Sequence, residues 1–288
     1  MTHHSLTCTD PNGTHDIAYL QWGDPDNPQV IICLHGLTRN SHDFDFLATA
    51  LAEQYRVICV DLPGRGESDW LTVPTDYNFP IYINDLRVLL NHIGITQVDV
   101  IGTSMGGWIG MILASQHPSH VRRLILNDIG PFIAQSELQR LAGNIQKRPA
   151  FFSNFSQAMH FIREINSQFG SLTQVQWEHL TRHSIRQRTD GYYELRYDPN
   201  ILQAMLKDPK SLVHDAEIWH TWRAVHCPVL VIRGEQSTLL TEETISQMLA
   251  IHPNTQVARI AGVGHAPTLM DDEQIQPIKE FLLVFNRI

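Results

Sequence analysis

Short apolar runs separated by amphipathic stretches set the rhythm of this chain. Val30-Ile31-Ile32-Cys33-Leu34, Val57-Ile58-Cys59-Val60, Val98-Asp99-Val100-Ile101, Leu124-Ile125-Leu126 and Val229-Leu230-Val231-Ile232 read as strands, with Val257–Ile260 a weaker sixth. Between and after them, Phe44–Gln54, Ile81–Ile93, Met105–Gln116, Glu242–Ile251 and Gln274–Phe285 carry helical periodicity. This alternation predicts an α/β fold, a mostly parallel sheet flanked by helices.

From about Pro131 to Asp215 the strand pattern stops. The composition shifts to Gln, Arg, His and aromatic residues, and helical periodicity reappears in Leu138–Gln146, Ala158–Asn166 and Val175–Arg186. The expected organisation is a core domain from residues 1–130 and 216–288, with 131–215 inserted as a helical cap. Ligands of open parallel sheets bind beside the carboxyl ends of the strands, so such an insertion is placed to wall a pocket. Most of its aromatic residues, Phe151, Phe152, Phe155, Phe161, Phe169, Trp177, Tyr192 and Tyr193, are expected to form the cap's own core. The rest would roof the pocket.

Composition narrows the class. The 288 residues are 43% hydrophobic, enough for one large domain with an insertion, and the net charge is −9. An acidic balance argues against nucleic acid and anionic membrane as partners, since both select basic patches. The N-terminus lacks the basic and apolar regions of a signal peptide, and no apolar stretch nears the roughly 18 residues of a membrane span. The four cysteines (Cys8, Cys33, Cys59, Cys227) are scattered and read as buried thiols, so a cytoplasmic enzyme is expected.

Candidate chemistry centres on Gly102-Thr103-Ser104-Met105-Gly106, which lies between an apolar strand and a helix. That context is what a nucleophile elbow requires: a sharp turn that small residues permit, with the serine lifted above the sheet. A serine hydroxyl needs a base, and His265 stands out among sixteen histidines because it sits in the small-residue loop Ala261–Pro267 after the last strand. The N–H of Leu37, in Leu34-His35-Gly36-Leu37, and that of Met105 are the candidate oxyanion donors. His35, Gly36 and Arg39 are candidates for the substrate pocket, with the side chain of His35 expected to buttress the loop. Asp61 is expected to fix the turn through Gly64 and Gly66. The histidines are read as giving no H-x-x-x-H or H-E-x-x-H array, and no G-x-G-x-x-G opens the chain, so neither a metal nor an organic cofactor is expected.

Taken together, His35-Gly36, the turn Asp61–Asp69, the Ser104 elbow and the Gly264-His265 loop resemble, in order and over nearly the whole chain, proteins of the α/β-hydrolase fold. The resemblance implies a Ser-His-acid triad, and the acid is where this chain departs. Many relatives carry it shortly after the strand equivalent to Val229–Ile232, where Ser237 stands here. Asp128, after the strand Leu124–Leu126, matches the placement in certain haloalkane dehalogenases and is the expected acid, unless it merely caps the segment at Gly130-Pro131. Glu235 is the alternative.

A serine at the elbow argues against the dehalogenase and epoxide hydrolase chemistries, which the family runs from an aspartate. It implies acyl transfer on a small-molecule ester, with carboxylic ester hydrolysis the leading expectation. Carbon–carbon hydrolysis of dienoate ring-fission products is an alternative, for which Arg39, Arg163, Arg182, Arg186 or Arg188 would bind the substrate carboxylate. Lactonase or perhydrolase activity is another. A non-catalytic receptor is the reading from a different class, although such receptors generally lose the serine or histidine that this chain keeps.

Overall fold

The computed structural model describes residues 1–201 and 214–284, the side chain of Ile145 excepted. Its centre is an eight-stranded sheet in the order β1-β2-β4-β3-β5-β6-β11-β12. The strands are β1 (Thr2–Asp10), β2 (Gly13–Trp22), β3 (Val30–Leu34), β4 (Arg56–Val60), β5 (Val98–Thr103), β6 (Val121–Asn127), β11 (Val229–Gly234) and β12 (Gln256–Ile260). From β4 to β12 all neighbours run parallel, and β1 and β2 close one edge as an antiparallel hairpin.

The uninterrupted apolar runs have a direct cause. Side chains alternate between the two faces of a strand, and here both faces are covered. Val30, Ile32, Leu34, Val98, Val100, Leu124, Leu126, Val229 and Val231 enter one core with α2 (Phe79–His92) and α3 (Met105–Gln116). Ile31, Cys33, Val57, Cys59, Ile101, Ile125, Leu230 and Ile232 enter the other with α1 (Asp45–Leu51) and Leu269–Leu282. Burial of Cys33 and Cys59 follows, as two parallel partners in the second core. The β1–β2 hairpin has no such run. Most of β1 faces out, and only Cys8 on it is buried.

Between β6 and β11 the described chain is largely helical. It passes through β7 (Phe132–Ile133), α4 (Gln135–Gln146), α5 (Phe155–Ile165), α6 (Gln174–Ser184), the small hairpin β8 (Ile185–Gln187) and β9 (Tyr193–Leu195), and β10 (Ala216–Glu217). Asn154 caps α5, and Thr173 forms a capping box with Gln176 on α6. The short ladder β7–β10 pairs the two ends of this stretch, with Ala216 opposite Ile133. The core then resumes with α7 (Trp219–Arg223), β11, α8 (Glu242–Ile251), β12 and α9 (Asp272–Val284). Residue 285, read from periodicity as the end of the last helix, lies outside the described residues, as does part of the 131–215 stretch. No helix among the described residues is long and apolar enough to cross a membrane.

Candidate active site

Ser104 occupies the single residue between β5 and α3, with φ 53° and ψ −117°. A non-glycine residue rarely adopts this conformation, and its surroundings hold it there. A Cβ at Gly102 would lie 2.3 Å from the Gly106 carbonyl oxygen, and one at Gly106 2.1 Å from that of Leu34. The glycines are thus required by the closeness of β3, β5 and α3 around the turn. Ser104 N–H donates to the Asn127 carbonyl at the end of β6 (3.1 Å).

His265 reaches the serine from the loop after β12. Its Nε2 is 3.0 Å from Ser104 Oγ, and its Nδ1 is 2.7 Å from Asp128 Oδ2. Asp128 is fully buried, with φ 54°, one residue beyond β6. Besides the imidazole, its carboxylate accepts the Gly234 N–H at 2.9 Å and the Ser237 hydroxyl at 2.6 Å. A carboxylate only accepts, so Nδ1 carries the imidazole proton and Nε2 is left free to accept from Ser104. Asp128 forms no helix cap at Gly130-Pro131. Glu235 is exposed and makes no hydrogen bond to His265.

The position of Asp128 has a topological explanation. β6 and β11 are parallel neighbours, with Asn127 opposite Ile232. Asp128 N–H donates to the Ile232 carbonyl (2.7 Å), so the residues just past the two strands share one space. Ser237, standing where relatives carry the acid, directs its hydroxyl at Asp128.

Leu37 follows β3. Its loop passes so near the elbow that a Cβ on Gly36 would lie 3.8 Å from Ser104 Cβ. The N–H groups of Leu37 and Met105 donate to no protein acceptor among the described residues. His35 lies beneath this loop and does not line the pocket. Its Nε2 accepts the Leu62 N–H (3.0 Å), and its Nδ1 lies 2.7 Å from the Gly36 carbonyl oxygen. Burial pushes its pKa down to about 3, which keeps it neutral. Asp61 accepts the N–H groups of Ser41 and Glu67, and a Cβ on Gly66 would strike its carboxylate.

Ser104 and His265 open on a cavity of about 450 Å³ between the strand ends and the helical stretch. Gly36, Leu37 and Arg39 line it, together with Phe161 and Phe169. Two expectations need correction. Arg39 does not offer a free guanidinium, since it donates to Asp43 and to Ser184 on α6 (2.8 Å). The cap arginines 163, 182, 186 and 188 are absent from the wall and instead pair with Gln174, Phe155, Glu194 and Asp190. Their places are taken by Arg140, Lys147 and Arg148, which periodicity did not single out. Arg148 stacks on Tyr197 at 4.7 Å, and its Nη1 is buried without a hydrogen-bond partner. Lys147 and Arg148, adjacent cations just past the end of α4 in an acidic chain, were the available signal, whereas Arg140 lies within α4 and pairs with Glu137 (2.9 Å).

Two further groups were also missed. Gln168 accepts the Gly264 N–H on its backbone oxygen (2.7 Å), so the helical stretch fastens the histidine loop directly. Arg65 is fully buried, donates to the Leu37 carbonyl (2.9 Å), and meets Met105 Sδ at 3.7 Å. It thereby fixes both residues that carry the candidate oxyanion donors. A third oversight is the pair His179 and His183 on α6, an H-x-x-x-H spacing.

The sequence profile of the alpha/beta hydrolase fold family matches residues 29–271. The chain is 41% identical to a 3-hydroxybutyrate-oligomer hydrolase of Cupriavidus necator over 281 residues, covering 96% of each chain. Among solved structures, a Rickettsia typhi protein superposes with a TM-score of 0.92 at 35% identity, covering 99% of both chains. An alpha/beta hydrolase from Novosphingobium aromaticivorans gives 0.83 at 30% identity, covering 98% of each.

Proposed function

The chain belongs to the alpha/beta hydrolase fold family and is a hydrolase; from that premise we propose that it hydrolyses short, soluble oligoesters of hydroxy acids. The observation that carries the reading is the continuous hydrogen-bonded line Ser104–His265–Asp128 facing one cavity. Ser104 Oγ attacks the ester carbonyl while His265 Nε2 takes its proton. The new oxyanion lies against the N–H groups of Leu37 and Met105. His265 then gives the proton to the departing alcohol oxygen. Water repeats the sequence on the acyl-serine, releasing the acid and restoring the serine hydroxyl. Asp128 holds the imidazole in the tautomer that both halves need.

Two features favour an oligoester that ends in a free acid. The C. necator relative is named for acting on 3-hydroxybutyrate oligomers, which combine internal esters with a terminal carboxylate. The cavity wall bears Arg140, Lys147 and Arg148, and the buried, unpartnered Nη1 of Arg148 suits such an anion. At about 450 Å³ the cavity falls within the range of roughly 300–1,000 Å³ common to small-ligand sites. The helical stretch 131–215 acts in this reading as the cap. Retention of both Ser104 and His265 weighs against a non-catalytic receptor.

The test is steady-state hydrolysis of the 3-hydroxybutyrate dimer and trimer and of their methyl esters, with Ser104→Ala alongside. Turnover should vanish in Ser104→Ala. In Arg148→Met, KM for the free acids should rise about tenfold, the worth of one charge-assisted hydrogen bond, with the methyl esters unaffected. An unchanged KM for the free acids, or an equal rise for acids and methyl esters, would overturn the anion-anchor role. Failure of the parent on all four compounds would overturn the oligoester assignment.

A further inference from the structure

A second group of chemistry-bearing side chains lies away from Ser104, where α6 packs on the chain following β3. His179 and His183 project from α6 four residues apart, one helical turn, and so share a face. Opposite them stand His42, in the 3-10 turn Ser41–Phe44, and Asp45, the first residue of α1. One donor atom each from His42, Asp45 and His183 lie within 4.8 Å of one another, and His179 Nε2 is 3.6 Å from Asp45 Oδ2. The imidazoles of His42 and His183 stack with centroids 3.7 Å apart, and those of His179 and His183 are 4.6 Å apart.

Hydrogen bonding accounts for only part of this arrangement. His42 Nδ1 reaches Asp45 Oδ2 at 2.9 Å, and His179 Nε2 lies 3.0 Å from the His42 carbonyl oxygen. Asp45 Oδ1, however, is buried with no hydrogen-bond partner among the described residues. The ring nitrogens of His183 make no hydrogen bond among the described residues. An orphan carboxylate oxygen beside three crowded imidazoles is an expensive way to pack two elements, and a shared cation would satisfy both deficits.

We propose that His42, Asp45, His179 and His183 form a binding site for a zinc-type divalent metal ion that clamps α6 to the core. Three nitrogens and one carboxylate oxygen suit zinc and its borderline neighbours, whereas calcium and magnesium require all-oxygen shells. Zinc–nitrogen bonds of about 2.0–2.1 Å put tetrahedral ligands about 3.3 Å apart. The donors therefore close in by about 1–1.5 Å, which side-chain rotation supplies. His179 exchanges the His42 carbonyl for the metal. The charge adjacent to the site is already balanced, since Arg39 is paired with Asp43.

The consequence is structural. α6 supplies Leu180 to the cavity wall, and its end is held by Arg39 to Ser184 and by Asn40 Nδ2 to the His183 carbonyl (2.7 Å). A metal here stiffens the seam through which the helical stretch meets the core, and it takes no part in the attack at Ser104. This departs from the expectation, read from the sequence, that the chain binds no metal.

The experiment titrates full-length, chelator-stripped protein with zinc chloride, followed by calorimetry and thermal melting, with calcium chloride as control. One zinc per chain should bind, raising the melting temperature by about 5 °C when zinc exceeds its dissociation constant a hundredfold. Calcium should do nothing. His179→Ala/His183→Ala and, independently, His42→Gln should each lose at least a hundredfold in zinc affinity while circular dichroism stays native. His265→Ala should retain it. Full-strength zinc binding by well-folded His179→Ala/His183→Ala, or none by the parent at 100-fold molar excess, would overturn the proposal.

Discussion

Replacing Asp128 by asparagine exchanges one carboxylate oxygen for an NH2 group, and the hydrogen bonds around it determine the outcome. Oδ1 accepts the N–H of Gly234, a backbone donor that cannot turn away. The amide oxygen of the asparagine must take that place, which leaves its NH2 at the former Oδ2, 2.7 Å from His265 Nδ1. Ser237, formerly a donor there, can rotate its hydroxyl to accept. All three hydrogen bonds to residue 128 can be kept, and only the Ser237 proton must find another acceptor, so the fold should be almost undisturbed. The imidazole, however, is forced to carry its proton on Nε2 and can no longer accept from Ser104. Inverting the tautomer in this way is worth about 10⁴ in kcat, or about 5.4 kcal/mol of barrier. KM should change little, because Asp128 does not line the cavity. The assay is kcat on p-nitrophenyl butyrate beside a thermal melt of the same preparation. In Asp128→Asn/Ser237→Asp, a carboxylate returns from the β11 side of the shared space, and at least tenfold of the loss should be recovered. A kcat within tenfold of the parent, with a native melt, would sink the reasoning and make Asp128 a structural anchor only.

Two further predictions concern stability. Gly106→Ala drives a Cβ to 2.1 Å from the Leu34 carbonyl oxygen and should cost at least about 3 kcal/mol, whereas Gly143→Ala, on α4 with nothing within 4 Å, should gain up to about 1 kcal/mol; urea unfolding midpoints check both. His35 has a folded pKa near 3 against about 6.5 unfolded, so its contribution is fully present above pH 6.5 and is lost as pH falls towards 3. Between pH 6.5 and 5 this amounts to about 1.4 kcal/mol per pH unit, and His35→Gln should flatten the slope of stability against pH by about that much. An unchanged slope would show that another group governs the acid limb.

The parallel sheet was legible because its strands are buried on both faces and therefore read as unbroken apolar runs. The same logic explains what was missed. β1 is an edge strand with a mostly exposed face, and Thr2-His3-His4-Ser5 gives no apolar signal at all. β7 to β10 are two or three residues long, below any periodicity a sequence can show. The β7–β10 pairing, moreover, arises only after distant segments have met.

Within the site, legibility followed local constraint. Ser104 and its glycines sit in a turn whose steric demands act within five residues, and His265 sits in a loop of small residues. Placing Asp128 beside His265 required one non-local fact, that β6 and β11 are neighbours, and the resemblance to dehalogenases that carry the acid after the equivalent strand stood in for it. The basic wall required more, because Arg140, Lys147 and Arg148 reach the cavity only through the way α4 is turned on the core. In the proposed reading the chemistry of this site rests on turns, and its selectivity on how the helices between β6 and β11 pack. Arg148 is therefore the residue by which to separate the two: its loss should leave neutral esters untouched and weaken acids alone, whereas loss of Asp128 should slow every substrate alike.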